Sequence, residues 1–269
     1  MDKILEQRIY AAARPYYTDQ DPAHDWDHIC RVCHFGRVLC REENADEAVV
    51  IPAAMFHDCV KLRVGHSPRD DSSRLSAEGA EEELLKIEGY PKEKITEVKL
   101  CIYEHSLALG IRPESLNSKV LQDADRLDSL GMVAIMRIFA HCGTWGGRGE
   151  GGRLFFWYDP FCENGREPDN KACGLDWVAL RLSKIVPLLN TTTAKRLAMP
   201  LERNQNEFLA RLRGEIGFFP SAEMQAMQEM QLPARVRNSL GAHPTPRGQL
   251  SDAISAQHPS IGADQPARK

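Results

Sequence analysis

Apolar side chains recur along this chain with a period near 3.6 residues from its first positions onward, and period-2 alternation is almost absent. Leu5, Ile9, Ala12, Ala13 and Tyr16 form one stripe, and Ile29, Val32, Cys33, Gly36, Leu39 and Cys40 form a second. Both are the buried faces of amphipathic helices. Asn44 followed by Glu47 reads as a capping box opening a helix that ends near His57, with Pro52 inside it expected to bend or loosen it. Gly65, Ser67, Pro68, Asp70 and Asp71 mark a loop over 63–72. A charged helix is expected over 73–88, stopping at Gly89. Pro91 then suits the first turn of the next helix, which carries Ile95, Val98, Ile102 and His105 on one face. One long helix is expected over 118–140, and others over 175–189 and 192–213, the last interrupted by Pro200. The pattern predicts an all-α fold.

Two segments break the pattern. Residues 143–152 hold six glycines in ten positions, and the loop they begin is expected to reach Asn170. Trp145, Arg148, Arg153, Phe155, Phe156, Trp157 and Tyr158 cluster there, and such a loop can stack on a base, cover a pocket or pack on the bundle. From Pro233 onward the chain has five of its sixteen prolines, few large apolar residues and no helical stripe. The expected organisation is one domain over 1–220 and a mostly disordered tail over 221–269.

Charge and composition narrow the function. Thirty-four basic against thirty-eight acidic side chains leave no electrostatic footprint for nucleic acid. The longest nearly unbroken apolar stretch, 48–56, is nine residues long and contains Pro52, too short to span a bilayer, so no membrane partner is expected. Asp2, Lys3 and Glu6 at the start do not resemble a secretory signal, and the eight cysteines then read as reduced thiols of a cytoplasmic protein. Cys30, Cys33 and His34 match a haem-attachment spacing, but they continue the helix that carries His28 and read as helix core.

The residues that could carry chemistry are His28, the pair His57-Asp58, and Asp125. Imidazole nitrogens with carboxylate oxygens suit a divalent first-row ion such as Mn²⁺ or Fe²⁺, and Mg²⁺ less well. Each residue lies on or at the end of a helix, so four side chains from three helices can converge inside a bundle. Taken singly, each could equally be a hydrogen-bonded interior histidine or an ordinary surface acid. The local contexts are His24-Asp25-Trp26-Asp27-His28-Ile29, then Pro52-Ala53-Ala54-Met55-Phe56-His57-Asp58, then Leu121-Gln122-Asp123-Ala124-Asp125-Arg126-Leu127-Asp128. Over about residues 10–213 the chain resembles the HD-domain metal-dependent phosphohydrolase superfamily, and the last of these segments is the most specific part of the likeness. Within it, Glu104-His105-Ser106 resembles the YedJ/YpgQ-like branch, which is associated with metal-dependent nucleotide pyrophosphohydrolase activity. The resemblance implies a helical bundle with a metal site between helices and His28, His57, Asp58 and Asp125 as its ligands. The ion implied is divalent, Mn²⁺ first, with Fe²⁺, Co²⁺, Ni²⁺ or Mg²⁺ also admissible.

Helical phase ranks the neighbours. Leu121, Asp125, Asp128 and Met132 share a stripe, so Asp128 joins Asp125 on the inward face, while Asp123 is expected to cap or pair on the outside. Asp58 or Asp128 could hold or deprotonate an attacking water. His105 could bind a substrate phosphate, act as general acid, hold a second metal, or simply be buried and hydrogen-bonded. Lys61 and Arg63 follow Asp58 closely and could clamp phosphate oxygens or form salt bridges; the branch typically has Asn and Lys near these positions. The expected partner is a small phosphorylated molecule, a nucleotide, and the expected reaction is hydrolysis of its ester or anhydride, with release of pyrophosphate from a nucleoside triphosphate as the form the resemblance implies. The alternatives are a 5′-nucleotidase or cyclic-nucleotide phosphodiesterase on the same site, a diiron HD-domain oxygenase, or a catalytically idle helical module.

Overall fold

Side-chain caps set where the helices begin. Asp25 accepts the His28 N–H, Asp46 the Ala48 N–H, Ser115 the Ser118 N–H and Thr191 the Ala194 N–H. The structure, a computed structural model, describes residues 1–18, 24–60, 69–144, 152–156, 159–163, 165–170 and 172–217. Among these the helices are α1 (Lys3–Ala13), α2 (Trp26–Glu43), α3 (Glu47–Phe56), α4 (Arg69–Lys86), α5 (Ile95–Glu104), α6 (Leu116–Asp128), α7 (Gly131–Thr144), α8 (Gly174–Ile185) and α9 (Thr192–Ile216). They contain no strand, only an isolated bridge between Arg153 and Cys173. The fold is all-α, as the periodicity requires.

α3 is the hub. Every residue from Val49 to Phe56 is buried, and α1, α2, α4, α5 and α6 pack around it. A helix apolar on all sides is stable only when enclosed in this way. Large side chains such as Ile51 and Phe56, fully buried, each contribute about 1.5–3 kcal/mol. Gly36 lets α2 lie close, since a Cβ there would already touch Ile51 Cδ1 at 3.4 Å. The Tyr17 hydroxyl donates to the Met55 carbonyl at 2.9 Å and ties the segment after α1 to the same helix. Among the described residues two satellite clusters lie outside this core. One holds Ile135, Ile138, Cys142 and Val178 of α7 and α8, and the other Phe156, Cys173 and Leu175.

Several expectations are corrected. Asn44 does not open α3; it closes α2 in the left-handed region at φ 59°, where Asn is tolerated, and Asp46 is the cap of α3. The long helix over 118–140 is two helices, because Gly131 at φ +80° breaks the helical path and lets α7 start in a new direction. α4 begins at Arg69, inside the expected loop. α9 runs through Pro200 to Ile216 without interruption. Phe156 is buried beneath the Arg153 and Arg166 guanidinium groups, at 5.4 and 4.6 Å, and Arg166 forks onto Asp176 at 2.6 and 2.7 Å. That part of the glycine-rich connection is packing. Trp145, Arg148, Trp157 and Tyr158 lie outside the described residues.

All the described residues belong to one unit, Met1–Ser221; the second, Ala222–Lys269, which holds the expected tail, lies outside them. All eight cysteines are free thiols. No helix among the described residues is long and apolar enough to cross a membrane.

Candidate metal centre

Four helix ends or faces deliver the candidate residues to one place. The Asp25 cap fixes the start of α2, so His28 falls in its first turn with the side chain on the buried stripe. His57 is the C-cap of α3, with Asp58 next to it, and His105 is the C-cap of α5. Asp125 comes from the inward face of α6.

Three imidazoles are aimed by what their Nδ1 atoms bond. His57 Nδ1 donates to the Ala54 carbonyl at 2.8 Å and His105 Nδ1 to the Ile102 carbonyl at 2.6 Å, each reaching back three residues along its own helix. His28 Nδ1 donates to Asp128 Oδ2 at 2.7 Å. A carbonyl or carboxylate acceptor keeps the proton on Nδ1 and leaves the Nε2 lone pair facing the centre. His28 Nε2 and His57 Nε2 are buried with no hydrogen-bond partner among the described residues. Burying such an acceptor unpaired costs about 1–3 kcal/mol, so the site is built for something that takes a lone pair.

Carboxylates complete the set. His28 Nε2 lies 3.6 Å from Asp125 Oδ1 and 4.0 Å from Asp58 Oδ2. His57 Nε2 lies 3.7 Å from Asp58 Oδ2 and 3.9 Å from Asp125 Oδ1. His105 Nε2 lies 3.7 Å from the other Asp58 oxygen. These spacings are too long for hydrogen bonds, but they suit donors around a cation bound at roughly 2.0–2.2 Å. Among the described residues two overlapping groups meet the requirement, with ligand atoms all within 4.8 Å of one another. One is His28, His57 and Asp125; the other is His57, Asp58 and His105.

The electrostatics keep these ligands in the form a metal needs. Burial pushes His28 down to about 4 and also lowers His105, so both imidazoles are neutral at pH 7. Burial alone would raise Asp125, but the His57, His28 and His105 imidazoles outweigh it and hold the carboxyl below its usual range.

Asp128 stands behind His28. Its Oδ1 accepts from Arg31 Nε at 2.6 Å, and its Oδ2 accepts from Arg137 Nη1 at 2.6 Å and Arg31 Nη2 at 3.2 Å besides the imidazole. Burial raises this carboxyl, but the bonds from His28 and Arg31 and the Arg137 charge outweigh that and keep it ionised. Asp123 is a correction: it is fully buried. It accepts the backbone N–H groups of Asn190 and Thr191 at 2.8 and 2.7 Å and holds the turn into α9. Gln122 beside it donates to the Glu104 and Ile111 carbonyls, which fixes the chain on both sides of His105. Lys61 and Arg63 lie outside the described residues. Arg31, Arg137 and Gln122 escaped the sequence reading. Arg31 could have been found three residues after His28 on the same helix, whereas nothing local marks Arg137.

Comparison with known proteins places this arrangement. A family model described as the HD domain matches residues 25–130, which span every candidate ligand. The protein YpgQ of Bacillus subtilis is 28% identical over 214 residues, 78% of this chain and 93% of that protein. The crystal structure of Bacillus subtilis YpgQ in complex with ADP shares 26% identity at a TM-score of 0.56, over 79% of this chain and 97% of that one. An HD-superfamily hydrolase from Bacillus thuringiensis shares 25% identity at a TM-score of 0.56, over 81% and 98% of the two chains.

Proposed function

Residues 25–130 form an HD domain of the metal-dependent phosphohydrolase superfamily, and on that premise we propose that this protein hydrolyses a phosphate anhydride of a small nucleotide, releasing pyrophosphate from a nucleoside triphosphate. The observation that carries the metal-dependent part is the pair of buried, unpartnered Nε2 atoms of His28 and His57 facing Asp58 and Asp125. The nucleotide part is supported by the complex of the Bacillus subtilis relative with ADP.

His28, His57, Asp58 and Asp125 would hold the ion, with two neutral nitrogens and two carboxylate oxygens that suit Mn²⁺ first. A divalent ion there lowers the pKa of water towards neutrality and polarises a phosphoryl oxygen. The chain's own residues do the rest. Asp58 lies between two imidazoles of the second cluster, one oxygen 3.7 Å from His57 and the other 3.7 Å from His105, so it can orient the attacking water between them. His105, lowered by burial, is neutral and serves as a proton acceptor at Nε2 rather than as a fixed cation for phosphate. Asp128 has its oxygens occupied by His28, Arg31 and Arg137, so its part is to hold His28 in the correct tautomer and raise its basicity as a ligand. Lys61 and Arg63 follow Asp58 in the sequence as the cations for the departing phosphates.

The second cluster, with His105, favours one rival, a diiron oxygenase. A single imidazole lone pair serves one ion, and the two clusters share His57 Nε2, which argues for one metal per chain. Metal analysis of the purified protein followed by a nucleotide panel, resolving phosphate, monophosphate and pyrophosphate, decides the matter. One ion per chain and pyrophosphate release are expected. Two irons with oxygen consumed, or release of phosphate from monophosphates alone, would overturn the proposal.

A further inference from the structure

Six aromatic rings run edge to face from the candidate metal centre to the seam between α7 and α8. His105 meets His57 with ring centroids 4.9 Å apart, His57 meets His28 at 5.3 Å, and His28 meets His24 at 6.2 Å. His24 then meets His141 at 5.7 Å, and His141 meets Trp177 at 5.4 Å. The first three rings belong to the centre itself. The last three come from separate elements: His24 just before the α2 cap, His141 from the final turn of α7 and Trp177 from the first turn of α8. The rings of the centre are buried, whereas His24, His141 and Trp177 are each half-buried. The row therefore leads from the buried site out to an accessible wall.

Taking the phosphohydrolase reading as its basis, we propose that His24, His141 and Trp177 form the subsite for the base of the nucleotide whose phosphates lie at His28, His57, Asp58 and Asp125. Flat π-faced groups with polar ring edges recognise a nucleobase, which every side of such a wall can meet by stacking or edge contact. The wall is also held in place before any ligand arrives. Trp177 packs against the cluster of Ile135, Ile138, Cys142 and Val178. A Cβ on Gly174 would lie 2.8 Å from two ring carbons of Phe139 and 3.1 Å from Cys142 Sγ, so only glycine lets α8 press on α7 closely enough for Trp177 to reach His141. A pre-ordered ring costs little further entropy on binding.

The test compares ATP with inorganic tripolyphosphate, which carries the same anhydrides and no base, on the manganese-loaded full chain. The quantity read is the ratio of kcat/KM for ATP to that for tripolyphosphate, with the reciprocal of an inhibition constant supplying the denominator if tripolyphosphate binds without being cleaved. His141→Ala and Trp177→Leu should lower this ratio about tenfold or more, the scale of one base–aromatic stack. His141→Phe and Trp177→Phe, which keep a flat ring, should restore most of it and guard against loss of folding. Metal content should match wild type in all four. A ratio unmoved in the alanine and leucine variants, or a wild type that prefers tripolyphosphate, overturns the subsite alone. A wild type that cleaves no phosphate anhydride or ester overturns the hydrolase reading on which it rests.

Discussion

Asp125 and Asp128 lie one turn apart on α6, yet neutralising them should cost very different amounts of stability. Asp128→Asn removes a buried negative charge that accepts from His28, Arg31 and Arg137 at 2.6–2.7 Å. Breaking one side of a buried pair costs about 3–5 kcal/mol. Arg137 is 12% exposed and Arg31 32%, so part of that cost is screened, and about 2–4 kcal/mol is expected. For a domain of this size the loss lowers the melting temperature by roughly 4–16 °C. The amide also orients His28 less firmly, and a change behind a ligating histidine typically weakens metal binding about 10–100-fold. Asp125→Asn behaves differently, because Asp125 faces imidazoles and pairs with no guanidinium among the described residues. The surrounding imidazoles alone hold its carboxyl below the usual range, so the metal-free protein should lose less stability than Asp128→Asn while losing its ion. Thermal melts of metal-free protein and calorimetric Mn²⁺ titrations of both variants give the four numbers needed. Equal stability of Asp128→Asn and wild type would refute the assignment of Asp128 as the anchored partner of His28. A loss in Asp125→Asn as large as that in Asp128→Asn would show that the two carboxylates are anchored alike.

Asp58→Ala should abolish metal binding and turnover with the fold retained, and full metal occupancy by elemental analysis would remove Asp58 from the ligand set. Lowering the pH should destabilise the metal-free protein from the His28 side. Its folded value of about 4 lies below the ordinary 6.5, so the unfolded chain takes up a proton that the fold refuses. The contribution is complete above about pH 6.5 and falls by about 1.4 kcal/mol per pH unit towards pH 4. Urea midpoints that are flat across this window, or a slope that survives in His28→Gln, would contradict it. Gln122→Ala leaves the partly buried Glu104 and Ile111 carbonyls without their donor and should cost about 1–3 kcal/mol by urea denaturation, with His105 displaced. A change below about 0.5 kcal/mol, the level of an ordinary surface substitution, would show that these bonds are replaced.

What was legible in the amino-acid sequence is what interactions between near neighbours decide. The 3.6-residue stripes locate most helices, because burying one face depends on residues three and four apart. Helical phase also brings Asp125 and Asp128 to the inward side of α6, and the way His57 and His105 bond back to carbonyls three residues earlier is equally local. The same local rules misplaced the cap of α3 and ran α6 into α7. Asn44 and Gly131 each stand at a helix boundary whose side is set by the next element packing in. Only the tertiary structure separated the acids of α6. The donors that neutralise Asp128 are Arg31, 97 positions away, and Arg137 from a helix that starts afresh at Gly131. Asp123 is buried because Asn190 and Thr191, 67 and 68 residues on, bring their N–H groups to it. Charge compensation, unlike periodicity, depends on which side chains the whole chain folds together.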